Sequence, residues 1–391
     1  MTVARFAPPV YPFERLEPLA EVARRHEGGM VDLSVGTPGD PPPALVVEAL
    51  ASSGAERGYP PSVGSLELRE AAAGWMGRRL GVDLPVSDIA ACVGTKELVA
   101  GLPHWLRLRA PDRDTVLYPA ISYPSDGMGA ILAGCRPVPV PVDDGLGLDL
   151  DAIDPADAGR ALCLWSNSPA NPTGGLDDLE RVAAWGEEHG VTVLSDECYV
   201  EFTWAGPRRS ILQSGTAGRL AVHSVSKRSN LAGLRVGFYA GEAELVHYLS
   251  EVRKHAGFMV PGPAQHAAAA ALADDEHVDA QAERYRHRLG RMAAVLAEAY
   301  GIEAPLPGGG LYLWCPAPDG DAWAFAGRLA ADAGCLVAPG ELFGPTATGH
   351  VRIAMVQSDE RIEVVARRLG VGVTGAGPIA RRAVGNRSAH Q

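Results

Sequence analysis

The chain has 391 residues and a formal net charge of −12, and this acidity argues against a nucleic-acid-binding protein, which would present a basic face. Hydrophobic residues make up 47% of the sequence, and the length predicts a globular protein with two or more domains. No apolar run is long enough to span a bilayer, and the N-terminal stretch MTVARFAPPV lacks the core of a secretory signal, so we expect a cytoplasmic protein.

The six cysteines and eleven histidines show no metal-binding pattern. Neither Cys-x-x-Cys nor His-Glu-x-x-His occurs in the sequence. We therefore predict reduced thiols and no zinc site.

The first segments of the chain predict an arm followed by helices. The first 43 residues are rich in proline and glycine around one amphipathic stretch, ERLEPLAEVARRH, which is typical of an arm that crosses a surface. Periodicity predicts helices over 44–55 and 65–80, and the loop between them carries an exposed tyrosine, Tyr59.

From residue 89 onwards, short β-rich runs alternate with helical segments. A strand at 89–93 leads through Gly-Thr-Lys into a helix, and the later runs are TVLYP, RPVPVPV, ALCLWSN, VTVLSDE and LAVHSVS. This alternation predicts an α/β fold with a mainly parallel sheet between helices. Ligands bind at the carboxyl ends of the strands in such sheets.

Beyond Pro261 the pattern changes to that of a smaller α+β unit. An Ala- and Arg-rich stretch predicts a long helix over 264–300, and GGGLYLWCP and GHVRIAM predict strands. Residues 373–391 have no periodicity, and we predict that they form a disordered tail.

Lys227 is the candidate nucleophile, because it directly follows the strand-like run LAVHSVS. Burial at such a position disfavours the charged amine, and a neutral amine is the form that attacks a carbonyl carbon. The other two lysines of the chain, Lys96 and Lys254, lie in a turn and in a charged helical segment. Taken alone, Lys227 also fits an ordinary surface lysine.

Three further polar residues follow predicted strands, and each has two interpretations. Asp196 can pair with a pyridinium nitrogen or cap a helix. Tyr199 can donate to a ring hydroxyl or pack in the core. Asn171, in the sequence NPTG, can donate to the same oxygen or simply form a turn.

A phosphate site is predicted where small and hydroxylated residues meet a helix start. Backbone N–H groups at the beginning of a helix suit a phosphate, and an arginine can bind it with two hydrogen bonds. The candidate residues are Gly94, Thr95, Lys96, Ser224, Ser226 and Arg235.

The remaining candidates concern an aromatic ring and a carboxylate. Tyr123 follows another strand and can stack on a ring, or it is an ordinary loop tyrosine. Arg352 interrupts an apolar strand, so it needs a carboxylate partner, either in the protein or on a substrate. Gly36 can bring the backbone close to that same carboxylate. Together these residues predict a site for pyridoxal 5'-phosphate.

The motifs NPTG, SDECY and SVSKRSNLAGLR, in this order, resemble those of fold-type I, class I/II aminotransferases. The resemblance covers about residues 31–369 and implies a large domain at 44–262 with a mainly parallel seven-stranded sheet. It also implies a small C-terminal domain at 263–372, to which part of the N-terminal 1–43 belongs.

The resemblance implies specific roles around the cofactor ring. Lys227 would form the Schiff base, Asp196 would lie at the ring nitrogen, and Tyr123 would stack on the ring. Asn171 and Tyr199 would contact the ring oxygen.

It also implies roles for the two charged groups of cofactor and substrate. The phosphate would be held by Thr95, Lys96, Ser224, Ser226 and Arg235, with Tyr59 reaching over from the second subunit of a homodimer. The substrate α-carboxylate would be held by Arg352, Gly36 and Asn171.

Several stretches are similar to actinobacterial N-succinyldiaminopimelate aminotransferases, among them GYPPSVGSLELREA, LAVHSVSKRSNLAG and LVAPGELFGP. Three departures concern positions that could face the substrate. Asp126 stands where that group tends to carry an aromatic residue, Phe343 stands where a tyrosine is usual, and Leu234 differs together with the segment AMVQSDE.

The resulting prediction is an aminotransferase (EC 2.6.1.-) of lysine biosynthesis. It would move an amino group between an amino acid, with N-succinyl-LL-2,6-diaminopimelate as candidate, and 2-oxoglutarate by ping-pong chemistry. A distal substrate carboxylate would need a second cation, for which Arg228 and Lys254 are candidates.

Two alternatives stay open from the sequence. One is a pyridoxal-phosphate enzyme of specialised metabolism that eliminates or replaces a group at Cβ or Cγ. The other is a regulatory protein on the same scaffold, which would carry a fused DNA-binding domain.

Overall fold

The structure is a computed structural model that describes residues 6–372. The tail expected at 373–391 lies outside the described residues, as do the first five residues. The helices, in chain order, are α1 (Glu17–Arg24), α2 (Ala44–Ala51), α3 (Leu66–Leu80), α4 (Thr95–Arg109), α5 (Ser125–Leu132), α6 (Pro155–Arg160), α7 (Leu179–His189), α8 (Val225–Arg228), α9 (Ala243–His255), α10 (Gly262–Ala273), α11 (Glu276–Tyr300), α12 (Ala322–Ala333) and α13 (Asp359–Arg368).

The strands form one large and two small sheets. They are β1 (Val31–Asp32), β2 (Ile89–Cys92), β3 (Thr115–Pro119), β4 (Arg136–Val140), β5 (Ala161–Asn167), β6 (Thr192–Asp196), β7 (Arg219–Ser224), β8 (Gly237–Gly241), β9 (Tyr312–Pro316), β10 (Cys335–Leu336), β11 (Ala338–Pro339) and β12 (His350–Ala354).

The large sheet confirms the predicted α/β fold with a mainly parallel seven-stranded sheet. Its strand order is β2-β8-β7-β6-β5-β3-β4, and β8 alone runs antiparallel to its neighbours. Side chains of α3, α7 and α10 cover one face, and those of α4 and α9 cover the other. The carboxyl ends of the parallel strands therefore meet at one edge, as the alternation predicted.

The sequence pattern did not predict β8, whose residues are Gly-Phe-Tyr-Ala-Gly. The strand is buried on both faces, so it shows no alternation of apolar and polar residues. Its glycines are needed for close packing: a Cβ at Gly237 would lie 2.8 Å from the carbonyl oxygen of His223.

The predicted helix over 264–300 is wrong as a single element, because it is two helices with a break at Asp274 and Asp275. The Asp274 carboxylate accepts from the backbone N–H of Glu276 (3.1 Å) and contacts the His277 ring (2.6 Å). These local bonds start a new helix in place of continuing the first. The first predicted helix is also shorter than expected and ends at Ala51.

The smaller unit combines the N-terminal segment with the C-terminal part of the chain. Strand β1 pairs with β10, and β12 lies between β11 and β9 in an antiparallel sheet. Its core is built mainly from α11, α12, α13 and these strands. Through β12 and the segment after β1, this unit extends side chains and backbone over the edge of the large sheet. Among residues 6–372, no helix combines the length and apolar character needed to cross a membrane.

Candidate active site

A cavity of about 410 Å³ opens at the carboxyl ends of the large sheet's parallel strands. Its walls come from the segments that follow β2, β3, β5, β6 and β7, together with residues of the smaller unit. The sequence-predicted residues in its wall are Gly36, Thr95, Lys96, Tyr123, Asn171, Asp196, Tyr199, Ser224, Ser226, Lys227, Arg235 and Arg352. The predicted residues therefore converge, except for Gly94, which lies behind the wall, and Tyr59.

The amine of Lys227 lies inside the cavity and donates to the carbonyl oxygen of Gly36. Lys227 belongs to α8, a single turn whose start is fixed by the Ser224 hydroxyl. Burial, together with the positive charges of Arg352 and Arg235, lowers the pKa of Lys227 to about 8. About half of this amine is therefore neutral near pH 8, where an ordinary lysine is almost fully charged, and the neutral form is the one that nucleophilic or general-base chemistry requires.

Asp196 ends β6 and turns its carboxylate into the same cavity. It accepts from the backbone N–H of Cys198 at 3.0 Å, and burial raises the pKa of its carboxyl group. Within residues 6–372 the carboxylate has no cationic partner in salt-bridge range. This unpaired buried acid fits a positively charged group of a ligand.

An anion site lies between the start of α4 and the start of α8. The Ser224 hydroxyl is 2.8 Å from that of Ser226, and the Arg235 guanidinium donates to the Ala232 carbonyl at 2.8 Å. Arg235 has no carboxylate partner in the described part of the chain. Gly94 makes this packing possible, because a Cβ there would overlap Arg235 Nη2 and the residue has a φ of 73°.

The side-chain amine of Lys96 contacts two tyrosines, and the role of this residue at a phosphate stays a prediction. Its amine donates to the Tyr11 hydroxyl at 3.0 Å and lies 4.6 Å from the centre of the Tyr11 ring. The ring of Tyr123 is also close, at 5.4 Å. The backbone of Lys96 lies in the first turn of α4, where N–H groups are free.

Arg352 is a further cation of the cavity without an ionic partner in the described chain. It is only 1% exposed, yet it has no carboxylate partner among residues 6–372, and its Nε has no hydrogen-bond partner there. Its Nη1 donates to Asn171 Oδ1 at 2.8 Å, and its Nη2 donates to the Ser34 carbonyl. Of the two interpretations of this arginine, its unpaired state favours a substrate carboxylate over a structural ion pair.

Tyr199 links this arginine to the centre of the cavity. Its hydroxyl lies 2.7 Å from the Tyr312 hydroxyl and 3.5 Å from Asn171 Nδ2. The guanidinium of Arg352 lies 4.5 Å from the centre of the Tyr312 ring. Sequence reasoning missed Tyr312, although β9 and β12 were both predicted as strands. Their antiparallel pairing places Ala354 opposite Tyr312 and brings its ring to Arg352.

The N-terminal segment supplies two further wall residues that the sequence did not indicate. The Tyr11 hydroxyl is 2.6 Å from that of Tyr123, and Phe13 packs edge-on against Phe343. Both residues precede α1 in a proline-rich stretch without periodicity. The aromatic character of YPF was the available signal, but nothing local places it over the sheet.

Of the three departures noted in the sequence, only Asp126 lines the cavity. Burial and the nearby charge of Asp196 raise the pKa of Asp126 to about 8. Phe343 lies behind the wall against the Arg352 guanidinium, 4.5 Å away, and Leu234 packs against the core of the large domain.

Neither of the two cations suggested for a distal carboxylate lines the cavity, so both suggestions are wrong. The Arg228 side chain is 3% exposed and bonds to the Ala271 carbonyl and Ser229, and it lies 3.6 Å from Glu201. Lys254 lies on the surface beside Glu251. The cations that line the cavity within the described chain are Lys96, Lys227, Arg235 and Arg352.

The donor set fits pyridoxal 5'-phosphate. An anion site with two hydroxyls and a free guanidinium suits the phosphate, an unpaired carboxylate suits the pyridine nitrogen, and a buried amine with a lowered pKa suits the aldehyde carbon. Among residues 6–372, no group of His, Cys, Asp and Glu side chains has the arrangement of a metal site.

Fold and cavity together define a pyridoxal-phosphate-dependent enzyme of fold type I. The family model of aminotransferases class I and II matches residues 28–369, and the chain belongs to this family. It is therefore a pyridoxal-phosphate-dependent aminotransferase, which confirms the predicted enzyme class and cofactor.

Three relatives show how this chain compares with known members. It is 41% identical over 369 residues to 4-dedimethylamino-4-oxo-anhydrotetracycline transaminase OxyQ of Streptomyces rimosus, covering 92% of this chain and 99% of that protein. It is 34% identical over 375 residues to LL-diaminopimelate aminotransferase of Desulforudis audaxviator, covering 92% and 95%. A solved structure, a probable N-succinyldiaminopimelate aminotransferase from Thermus thermophilus, superposes with a TM-score of 0.82 at 32% identity, covering 92% and 99%.

Proposed function

We propose that this aminotransferase moves an amino group from an amino acid with a second carboxylate to 2-oxoglutarate by ping-pong kinetics. N-succinyl-LL-2,6-diaminopimelate is the first amino donor to test, which would place the enzyme in lysine biosynthesis. The supporting observation is that the Lys227 amine, the Asp196 carboxylate and the Arg352 guanidinium open on one cavity. Neither the carboxylate nor the guanidinium has an ionic partner in residues 6–372.

Each end of the cavity would hold one part of the reactants. Ser224, Ser226 and Arg235 would bind the phosphate, and Asp196 would keep a proton on the pyridine nitrogen. Lys227 would hold the aldehyde carbon. Bound pyridoxal phosphate supplies an electron-withdrawing ring that accepts the electron pair released at the substrate Cα.

Lys227 would then act as the general acid and base of the reaction. Its pKa of about 8 suits an amine that takes the proton from the substrate Cα and returns it to a neighbouring carbon. Arg352 would orient the α-carboxylate with two hydrogen bonds, and Asn171 holds its Nη1 in place at 2.8 Å.

The charge distribution of the cavity supports a substrate with two carboxylates. Lys96 is the cavity cation that remains once Lys227, Arg235 and Arg352 have their roles. Its amine donates to the Tyr11 hydroxyl and has no carboxylate partner in the part of the chain that the structure describes. The names of the two diaminopimelate relatives fit an amino acid of this kind.

A second acceptor class is favoured by the aromatic side chains in the cavity wall. Tyr11, Phe13 and Tyr123 form an aromatic cluster there, with the ring centres of Tyr11 and Phe13 5.8 Å apart. Such a surface suits a polycyclic ketone, and the relative at 41% identity is named for amine transfer to an oxo-anhydrotetracycline. This alternative keeps the amine-transfer chemistry and changes only the acceptor.

A panel of amino donors with 2-oxoglutarate tests the proposal. N-succinyl-LL-2,6-diaminopimelate, LL-diaminopimelate and, as a donor without a distal carboxylate, alanine are each supplied, and glutamate formation is measured. The proposal predicts the highest kcat/KM for a donor with a distal carboxylate and parallel double-reciprocal lines. With O-acetylserine supplied as well, formation of pyruvate, ammonia and acetate without glutamate would instead indicate elimination at Cβ, which the sequence left open.

We also propose that two copies of the chain complete each site. Tyr59 is 96% exposed, and the neighbouring apolar side chains of Leu45, Val47 and Leu66 are exposed as well. Such a group of exposed apolar residues marks an interaction surface. In a homodimer Tyr59 would reach the phosphate bound by its partner.

Mixing two impaired variants tests this arrangement. Dimers that combine one Lys227→Ala subunit with one Tyr59→Phe subunit contain one site with both defects and one with neither. Activity above that of either variant alone is expected, together with a dimer mass by sedimentation. A monomer at working concentration, or no gain on mixing, would contradict the shared site.

A further inference from the structure

Tyr312 joins the two halves of the cavity. Its hydroxyl lies 2.7 Å from that of Tyr199, and its ring lies 4.5 Å beneath the Arg352 guanidinium. Both tyrosines are almost completely buried, and the bond between their hydroxyls is the shortest side-chain hydrogen bond that either makes in the described chain.

The position of the Tyr312 hydroxyl is fixed from the opposite side by Gly36. A Cβ at position 36 would overlap the Tyr312 hydroxyl oxygen, so the backbone of Gly36 packs directly against it. The same residue accepts a hydrogen bond from Lys227 through its carbonyl. Tyr312 therefore contacts three residues: Gly36, which accepts the hydrogen bond from Lys227, Arg352 and Tyr199.

We propose that Tyr312 is a positioning residue that sets the hydrogen-bond strength of Tyr199 toward the ring oxygen of the cofactor. This inference rests on the proposed role of Tyr199. When an anionic oxygen lies in the cavity, Tyr199 donates to it, because a charge-assisted bond is the stronger one. The Tyr312 hydroxyl must then donate to Tyr199, and this second bond polarises the first.

These two successive hydrogen bonds, from Tyr312 to Tyr199 and from Tyr199 to the ring oxygen, have a consequence that can be measured. Without the Tyr312 hydroxyl, Tyr199 is a weaker donor, and the ring oxygen holds a proton more strongly. The pH at which the absorbance of the yellow holoenzyme changes should therefore rise. The other charged or titratable groups around the pair are Arg352, Asp196, Cys198, Lys227, Tyr123 and Tyr285, and none of them is substituted when the hydroxyl is removed.

The test compares Tyr312→Phe with Tyr239→Phe in the holoenzyme. Tyr239 is an equally buried tyrosine whose hydroxyl contacts Ser250 at 3.3 Å, away from the cavity, so it controls for loss of a buried hydroxyl. We expect the absorbance midpoint of Tyr312→Phe to rise by about 0.3 to 1 pH unit and that of the control to stay unchanged. KM for the amino donor should change less than about twofold, because the phenyl ring still supports Arg352.

A second variant tests the same contact if Tyr312→Phe does not fold. In Gly36→Ala the added methyl displaces the Tyr312 hydroxyl without deleting it, and the midpoint should shift in the same direction. Tyr199→Phe serves as the reference. If Tyr199→Phe shifts the midpoint but Tyr312→Phe and Gly36→Ala do not, the role of Tyr312 is refuted. If Tyr199→Phe leaves the midpoint unchanged, the proposed role of Tyr199 fails as well.

Discussion

The substitution Asp126→Asn should stabilise the protein without its cofactor, and increasingly so as the pH rises. Asp126 and Asp196 are two acids in the wall of one cavity, and neither pairs with a cation in the described part of the chain. Because burial and the charge of Asp196 both oppose its ionisation, Asp126 stays protonated up to a pKa of about 8. Asparagine has nearly the same shape and never needs to ionise.

The sign and size of this pH-dependent stabilisation follow from the difference between the pKa of Asp126 in the folded protein and its pKa in the unfolded chain. The unfolded carboxyl has a pKa of about 3.9, so its native counterpart binds more protons between about pH 4 and pH 8. The contribution of Asp126 to the free energy of unfolding of the wild type is therefore fully present below about pH 4 and is lost as the pH rises toward 8. A carboxyl sealed from water would lose roughly 5 to 6 kcal/mol over this range, at about 1.36 kcal/mol per pKa unit. Between pH 5 and pH 8, the advantage of Asp126→Asn over wild type should therefore grow by roughly 4 kcal/mol.

Urea unfolding of the cofactor-free protein between pH 5 and pH 9 measures this difference. The advantage of Asp126→Asn over wild type should grow across the range and level off above about pH 8. Asp144→Asn, in an exposed acidic loop, removes the same charge and should show no such growth. An advantage of Asp126→Asn that is constant from pH 5 to pH 9 would refute the idea that burial and Asp196 keep Asp126 protonated.

Three further substitutions test the cavity, one for each of its parts. Lys227→Ala should abolish turnover but leave non-covalent cofactor binding, and borohydride should then fix no label to the protein; substantial activity would contradict the role of this amine. Arg352→Lys should lower kcat/KM for the amino donor by about tenfold to a hundredfold through loss of the two-pronged bond, with an unchanged cofactor Kd as the control. Gly94→Ala should weaken cofactor binding, because its Cβ would occupy the place of Arg235 Nη2; equilibrium dialysis with wild-type affinity would argue against the anion site.

Sequence patterns predicted the parts of the fold in which period and capping agree. Helix α3 begins where expected because the Ser65 side chain accepts from the backbone N–H of Leu68, and it ends at Gly81 with a φ of 64°. Strand β8 escaped prediction because burial on both faces removes the alternation on which a strand prediction depends. The break at Asp274 was not predicted, because an acidic residue in an Ala-rich run is equally typical of the exposed face of a continuous helix.

The residues of the candidate site likewise fall into those that the sequence could predict and those that it could not. Residues that directly follow a strand, such as Asp196 and Lys227, could be predicted, because the carboxyl ends of parallel strands meet at one edge. Tyr11 and Tyr312 could not, because their places depend on how the smaller unit packs over the sheet. The contact of the Lys96 side chain with Tyr11 could not be predicted either, because Tyr11 comes from the N-terminal segment.

This division explains why the cofactor was easier to predict than the substrate. The groups assigned to the phosphate and the ring nitrogen belong to the large sheet and its loops, whose order along the chain is visible in the motifs. The groups that would meet a substrate side chain are Tyr11, Phe13, Lys96 and Asp126, which come from three separate segments. A change in any one of them alters the shape or charge of that end without altering the motifs. Substrate choice therefore depends on contacts between segments, and relatives that share the motifs can differ in the amino acid or ketone they accept.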